Sequence, residues 1–310
     1  MQIEIESKQV AISNPDKVLW PEAGVTKREY IEYLIDVAPQ LVPYTRNRLL
    51  MIWRYPDGVG TKRIEEKLVP DHAPDWIARS FYKDRDWVLL NDAATLVWLA
   101  NWGALELHVP FDRVDAPGYP TELVFDLDPP EGAPFELVRE VALALKEVLD
   151  GLSLSSVAKT SGATGLQIHV PIEPLYPYEE TRRINEFVAR YLQERLKAQI
   201  TLERSVANRG QKLYFDYLQL WKMRTMPAPY SLRATPQATA ATPVTWDEVA
   251  RGFHPTDFTI QTVRERLTAV GDQFSPVTTD KDAYRQSLNQ ILGFLQAHEN
   301  SAYQQDRPGP

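Results

Sequence analysis

Glu122-Leu-Val-Phe-Asp-Leu-Asp128, stopped by Pro129 and Pro130, is the stretch on which the rest of the chain turns. Read with a period of two, Glu122, Val124, Asp126 and Asp128 share one face, while Leu123, Phe125 and Leu127 share the other. That is the pattern of a half-buried strand. Carboxylates at i and i+2 over an apolar underside repel each other unless a cation lies between them. Neighbouring hard oxygen ligands suit Mg²⁺ or Mn²⁺. An Asp-x-Asp pair on its own is equally compatible with two solvated acids at a strand end, so its surroundings decide.

Those surroundings are regular. The strand at 122–128 is followed by an amphipathic helix from about Pro134 to Asp150, closed by Gly151. A strand at 154–160 turns through Ser161-Gly-Ala-Thr-Gly165 into a strand at 166–172. A helix from about Tyr178 to Lys197 and a strand from about Gln211 to Tyr217 complete a split β-α-β-β-α-β unit of the ferredoxin (RRM-like) kind. In such a sheet the first and third strands are central and the fourth lies beside the first. Asp216, facing opposite to Phe215, is therefore expected next to the Asp126/Asp128 strand. With strands about 4.8 Å apart, three carboxylates can converge on two cations about 3.5–4 Å apart. On the third strand Leu166, Ile168 and Val170 face the core, so Gln167 and His169 are expected on the acidic face. A sheet without a site has no reason to collect Asp126, Asp128, Gln167, His169 and Asp216 on one exposed face. The loop Lys159-Thr-Ser-Gly-Ala-Thr-Gly165 adds hydroxyls and two glycines that let backbone N–H groups approach an anion. It is no Walker loop, lacking both the Gly-Lys-Ser/Thr ending and a following helix.

Outside this unit the signals are weaker. Residues 10 to 25 read as a short strand and a turn-rich loop, and Thr26-Lys-Arg-Glu29 as a capping box opening a helix with Tyr30, Ile31, Leu34 and Ile35 at helical spacing. Lys17 lies in that loop and Lys27 in the first helical turn, where free N–H groups also welcome an anion, although two solvated lysines are the plainer reading. Arg48 to Tyr55 reads as a strand, 60 to 75 as a charged surface loop, and Asp92 as the cap of a second helix ended by Gly103. Trp98, Trp102 and His108 read as packing groups. Residues 222 to 245, rich in Pro, Ala and Thr, are expected as a long surface loop carrying Arg224 and Arg233. Helices are expected at 257–268 and 280–298, with a frayed tail from Glu299.

The 310 residues are 44% hydrophobic and 25% charged, enough for a sizeable core. No run reaches membrane-spanning length, and Met1-Gln-Ile-Glu-Ile-Glu lacks the basic and apolar regions of a signal peptide. A cytoplasmic location without a membrane partner is the expectation. There is no cysteine, which excludes disulfides, thiolate zinc sites and cysteine nucleophiles. The net charge of −8 argues against a nucleic-acid partner only weakly, because local patches rather than the sum decide binding.

The chain resembles the polymerase domain of bacterial DNA ligase D, within the archaeo-eukaryotic primase superfamily, over about residues 10 to 300. The resemblance rests on Asn14-Pro-Asp-Lys-Val-Leu-Trp-Pro21, Arg54-Tyr-Pro-Asp-Gly58, His72-Ala-Pro-Asp-Trp76 and Ala94-Thr-Leu-Val-Trp-Leu-Ala-Asn101. It continues in Leu105-Glu-Leu-His108, Phe125-Asp-Leu-Asp-Pro129, Lys159-Thr-Ser-Gly162, Asp216-Tyr-Leu-Gln219 and Ala228-Pro-Tyr-Ser-Leu-Arg233. It implies an α+β primase-polymerase fold, with the split sheet (119–240) packed on an N-terminal α/β module (1–118), a C-terminal helical segment (241–300) and a flexible tail (301–310). It implies Asp126, Asp128 and Asp216 as metal ligands for Mn²⁺ or Mg²⁺. Ser161, His108, Arg209, Gln219 and Arg233 match nucleotide-contacting positions, and Lys17 and Lys27 match a pair holding a downstream 5′-phosphate.

Three departures accompany the resemblance. Thr164 stands where the family often has a lysine. Gln167 stands where a histidine is usual, which leaves His169 or Gln167 to meet the phosphates. Arg63-Ile-Glu-Glu-Lys67 lacks the aromatic groups that engage the template in relatives, and only Lys67 matches clearly. The activity implied is two-metal addition of NTP or dNTP to DNA 3′ ends, filling gaps and extending ends in bacterial non-homologous end joining. DNA ends and gaps with a 5′-phosphate, Ku and a DNA ligase acting in trans or on the same polypeptide are the implied partners, and association with the nucleoid the implied setting. A de novo primase and a catalytically silent DNA-end-binding module are the rival readings.

Overall fold

The computed structural model describes residues 1–280 and 286–305. Strands β1 (Gln2–Ile5) and β2 (Lys8–Ala11) form an antiparallel hairpin, and β3 (Val18–Trp20) and β4 (Val25–Thr26) a second. Thr26 then caps α1 (Lys27–Thr45). Its hydroxyl accepts from the Glu29 N–H, and the Glu29 carboxylate accepts from the Thr26 N–H at 2.8 Å, the capping box expected from sequence. Tyr30, Ile31, Leu34, Val37 and Leu41 on α1 are buried against the rest of the core.

Next come β5 (Met51–Arg54) and β6 (Ile64–Glu66), which pair antiparallel with Ile52 opposite Glu66. The 60–75 segment is therefore not simply a surface loop. A three-residue strand with one apolar side chain is too short for alternation to reveal it. Hairpin β7 (Arg79–Tyr82) and β8 (Arg85–Val88) precedes α2 (Ala93–Asn101), which Asp92 caps as expected, and then β9 (Ala104–Val109).

The second half follows the expected order, β10 (Glu122–Asp128), α3 (Phe135–Gly151), β11 (Val157–Thr160), β12 (Leu166–Pro171), α4 (Tyr178–Arg195) and β14 (Leu213–Asp216), with a short β13 (Ile200–Thr201) added before β14 and parallel to it. Residues 222–245 depart from expectation. They contain β15 (Met226–Pro227) and β16 (Pro243–Val244), and Ala228, Tyr230, Leu232, Ala238, Ala240 and Ala241 are buried. The small side chains that look like low complexity are what allow this segment to lie between two sheets.

One sheet has the strand order β13-β14-β10-β12-β11-β16 and the other β15-β9-β5-β6. The segment thus contributes an edge strand to each. Beyond it lie α5 (Trp246–Arg251), α6 (Ile260–Val270) and α7 (Asn289–Gln305). The helix expected from 280 starts at Asn289 instead and runs through the first part of the expected tail. Residues 281–285 and 306–310 of those two expectations lie outside the described residues. One large apolar cluster runs through the molecule from Val10 to Ile291, and Leu49, Trp87 and Leu89 form a small second one.

Candidate active site

The antiparallel register of the six-stranded sheet aligns four polar residues in one row. Asp216 on β14 is opposite Asp126 on β10, Asp126 is opposite Gln167 on β12, and Gln167 is opposite Lys159 on β11. Residues directly opposite on neighbouring strands have Cβ atoms about 4.5–5.5 Å apart. The expected meeting of Asp216 with the Asp126/Asp128 strand is therefore a matter of backbone register.

The carboxylates are electrostatically unsettled. Burial, then the charges of Asp216 and Asp128, push Asp126 up to about 7. Asp128 is also raised by burial, against the pull of Arg209, whose Nη1 lies 3.3 Å from its carboxylate. Asp216 accepts hydrogen bonds from Tyr214 Oη at 3.1 Å and Leu218 N at 3.0 Å. Among the described residues no three acidic or imidazole side chains are drawn close enough to enclose an ion as they stand. Mutually repelling oxygen donors with raised pKa values are nonetheless the donor set a hard divalent cation relieves. The residues present fit Mn²⁺ or Mg²⁺, with Asp128 released from Arg209 and Asp216 from Tyr214.

Asp126 and Asp128 open onto a cavity of 340 Å³ whose far wall comes from the other sheet. His108, Ser161, Gln167, Gln219 and Arg233 all line it. Arg233 joins the two sheets: its Nε donates to Glu106 on β9 at 2.8 Å and its Nη1 to the Ser161 carbonyl at 2.6 Å. Gly162 makes that approach possible. Its φ is +73°, and a Cβ there would stand 2.6 Å from Arg233 Cγ. Gly165 does the same on the other side, where a Cβ would meet the Leu127 carbonyl oxygen at 2.4 Å. The Ser161 hydroxyl accepts from the N–H groups of Ala163 and Gly165 at 3.2 and 3.0 Å, which shapes the loop from within.

Arg209 lies on the outer side of the aspartates. Its guanidinium stacks 3.7 Å from the Tyr214 ring and donates to the carbonyls of Glu203 and Arg204. Gln219 donates to the Thr225 carbonyl at 2.8 Å.

Three expected nucleotide contacts lie off the cavity lining: Arg209, on the outer side of the aspartates, His169 and Lys67. His169 is on the same strand face as Gln167 but is fully buried, so that face is not exposed along its whole length. Its Nδ1 donates to Glu122 at 3.0 Å, and its ring meets Phe274 edge-to-face with centroids 5.0 Å apart. The covering groups come from α1 and from residue 274, far away in sequence, so alternation alone could not reveal them. Lys67 is exposed, with its amine 5.3 Å from the Trp87 ring and off the cavity lining.

Lys17 and Lys27 are brought together. The Lys27 amine donates to the carbonyls of Ser13 at 2.8 Å and Asn101 at 3.2 Å, and burial together with the nearby Lys17 charge lowers its pKa. Lys17 donates to the Pro56 carbonyl at 2.6 Å and pairs with Asp57 at 3.0 Å.

Three residues at the site have places that the sequence reading did not give them. Trp53 lines the cavity, stacked on His108 with ring centroids 4.5 Å apart, and Arg63 sits 4.2 Å from its ring. Glu106 is buried beneath Arg233 and His108. Lys159, read as part of a phosphate loop, is fully buried instead. Its amine donates to Gln167 Oε1 and to the Pro227 carbonyl at 3.3 Å, while Gln167 donates onward to Asp126 at 3.3 Å. Burial lowers Lys159 to about 7, with Asp126 opposing. Pairing across β5–β9 and β11–β12 is the signal that could have found these residues, and it exists only once strands are aligned.

Residues 26–274 match the family model of the LigD primase-polymerase domain. The bifunctional non-homologous end joining protein LigD of Bacillus subtilis is 37% identical over 260 residues, covering 84% of this chain and 42% of that protein. The multifunctional non-homologous end joining protein LigD of Mycolicibacterium smegmatis is 32% identical over 280 residues, covering 88% of this chain and 36% of that protein. This chain thus spans well under half the length of these relatives. The structure of the polymerase domain from Mycobacterium tuberculosis ligase D in complex with DNA superposes with a TM-score of 0.82 at 30% identity, covering 87% of this chain and 98% of that one. Among the described residues no helix is long and apolar enough to cross a membrane.

Proposed function

The chain belongs to the LigD primase-polymerase domain family, and from that premise we propose that it is a metal-dependent nucleotidyltransferase adding ribo- or deoxyribonucleotides to DNA 3′ ends during bacterial non-homologous end joining. The observation that carries the reading is the register pairing Asp126 with Asp216, Asp126 and Asp128 lining one cavity with Arg233 and the Ser161 loop. Asp126, Asp128 and Asp216 would hold Mn²⁺ or Mg²⁺. When bound, such a pair of ions lowers the pKa of a primer 3′-hydroxyl and offsets charge on the triphosphate and the leaving pyrophosphate.

The chain's own residues do the rest. Arg233 and the glycine loop present fixed positive potential toward the phosphates, where charge builds up in the transition state. Asp126 and Asp128, on one strand, set the spacing between the reacting hydroxyl and the nucleotide. Gln219, held by the Thr225 carbonyl, and His108, held by Glu106, border the same space without needing to move.

Lys17 and Lys27, on the N-terminal half, supply a second anion site for the 5′-phosphate of a downstream strand, so that a gapped DNA is gripped at both margins. In this reading Ku and a DNA ligase act beside the domain, in trans or on the same polypeptide.

Extension of a primer across a gap with Mn²⁺ tests the function directly. Nucleotides should be added, and a 5′-phosphate on the downstream strand should tighten binding roughly tenfold, about 1.4 kcal/mol. Lys17→Ala with Lys27→Ala should abolish that advantage. Equal loss on phosphorylated and unphosphorylated gaps would remove the lysine assignment. Product formed on single-stranded DNA without a primer would favour a de novo primase, and no addition under any condition a silent end-binding module.

A further inference from the structure

Glu106 is a buried carboxylate next to a wall built for anions, a placement that calls for an explanation. Its charge alone would repel a triphosphate, and burying a carboxylate is costly unless its oxygens are bonded. They are well bonded. Oε2 accepts from His108 Nε2 at 3.0 Å and from Arg233 Nε at 2.8 Å, and Oε1 accepts from the Ala234 N–H at 3.0 Å. Burial pushes its pKa up, but the His108 hydrogen bond and the Arg233 charge outweigh it and hold the group below the usual carboxylate range.

Each donor leads to the cavity. Arg233 uses Nη1 on the Ser161 carbonyl, so the Glu106 bond fixes the guanidinium plane from behind. His108 lies between Trp53, stacked on its ring, and Glu106, which accepts its Nε2–H. A carboxylate can only accept, so the tautomer of His108 is set there. The Ala234 N–H anchors the chain immediately after Arg233.

We propose that Glu106 is a positioning residue for the nucleotide: it holds Arg233 and His108 in one rigid unit, so that the wall facing the triphosphate is set before the substrate arrives. This rests on the nucleotidyltransferase reading above and adds to it a residue that does not itself touch substrate. A pre-set guanidinium loses little conformational freedom on binding, and affinity follows from that. The larger consequence belongs to nucleotide binding, and a smaller one reaches the chemical step through Arg233.

The test compares wild type with Glu106→Gln, which keeps shape but offers one acceptor where three donors need to be served. Binding of ATP with Ca²⁺ in place of Mn²⁺, followed by calorimetry, reads the wall without catalysis. Glu106→Gln should weaken ATP binding tenfold or more and raise KM for the nucleotide similarly, with a smaller change in kcat. ¹⁵N spectra should show one His108 tautomer in wild type and a mixture in the variant. Combined with Arg233→Ala, Glu106→Gln should cost clearly less than it does alone, since part of its effect runs through the same guanidinium and only the His108 part remains. Unchanged ATP affinity with a lowered melting temperature, or full additivity with Arg233→Ala, would overturn the proposal.

Should Glu106→Gln fail to fold, Glu106→Asp keeps the charge and withdraws it by one methylene. Intermediate ATP affinity then supports the role and wild-type affinity overturns it. Wild type that binds ATP yet adds no nucleotide to any primer would sink the catalytic reading while leaving the Glu106 result standing.

Discussion

The two ends of β10 carry the same kind of chemistry and do different things. At the C-terminal end Asp126 and Asp128 meet Gln167 and Asp216 at an open cavity. At the N-terminal end Glu122 meets His169, Tyr44 and Arg48 with no solvent at all. Tyr44 Oη donates to Glu122 at 2.8 Å, His169 Nδ1 at 3.0 Å, and Arg48 Nη2 stands 3.7 Å away. Phe274 closes that end, edge-on to both Tyr44 and His169. An acid bonded to an imidazole or amide of the next strand thus borders an open cavity at one end and lies in a sealed ionic core at the other. What distinguishes them is whether the carboxylate's negative charge has been answered by protein or left for something else to answer.

The sharpest break between the two ends is expected from Asp126→Ala. Nucleotide addition should fall by roughly a thousandfold or more, as when a group organising transition-state charge is lost. DNA binding and folding should stay near wild type; substantial residual synthesis in a primer-extension assay would contradict the assignment of the site to that end.

The mirror experiment is Glu122→Ala. It strands Arg48, His169 and Tyr44 around a hole in a fully buried network and should cost about 3–5 kcal/mol of stability, read by denaturant unfolding. The specific activity of the surviving folded protein should barely change. A large drop in kcat with intact stability would mean that the sealed end is not merely structural.

A pH titration of stability separates the ends more gently. In chelator, Asp126 holds its proton up to about 7 when folded, against about 3.9 for an unfolded aspartate. Between these values the native state binds more protons, so stability from this group falls as pH rises from about 4 to about 7. His169 runs the other way. Burial, opposed by Glu122, lowers its pKa below 6.5. Its contribution is complete above that value and is lost as pH falls through the folded pKa. Asp126→Asn should remove the first slope and leave the second, and saturating Mn²⁺ should do likewise. A slope unaffected by either would place the raised carboxylate elsewhere.

The smallest effect is expected at the rim. Arg209→Ala removes a pair whose Asp128 side chain is 52% exposed, and should change stability by no more than about 1 kcal/mol, measured by thermal melting.

Much of the catalytic sheet was legible because β10, α3, β12 and α4 carry clean periodicities of 2 and 3.6. Their order alone put Asp216 beside Asp126. What period cannot convey is cover. His169 and Gln167 have the same alternation phase, but only His169 is bonded to Glu122 and packed against Phe274. The same blindness hid β6, β15 and β16, which have two or three residues each and exist because a neighbouring strand lends them partners. It also hid Glu106, Trp53 and Lys159, whose roles depend on which strand lies opposite. The family resemblance gave Arg233, Ser161 and the lysine pair the specific roles that their spacing had left open.

Gly165 has a further consequence. With its absent side chain the hairpin rests directly on the Leu127 carbonyl, so the gap between whatever the hairpin grips and the acids flanking Leu127 is gauged by main chain touching main chain. Side-chain rotamers cannot stretch or shrink it. Any larger residue at 165 would wedge the grip away from the acids, leaving every reactive group in place but out of reach.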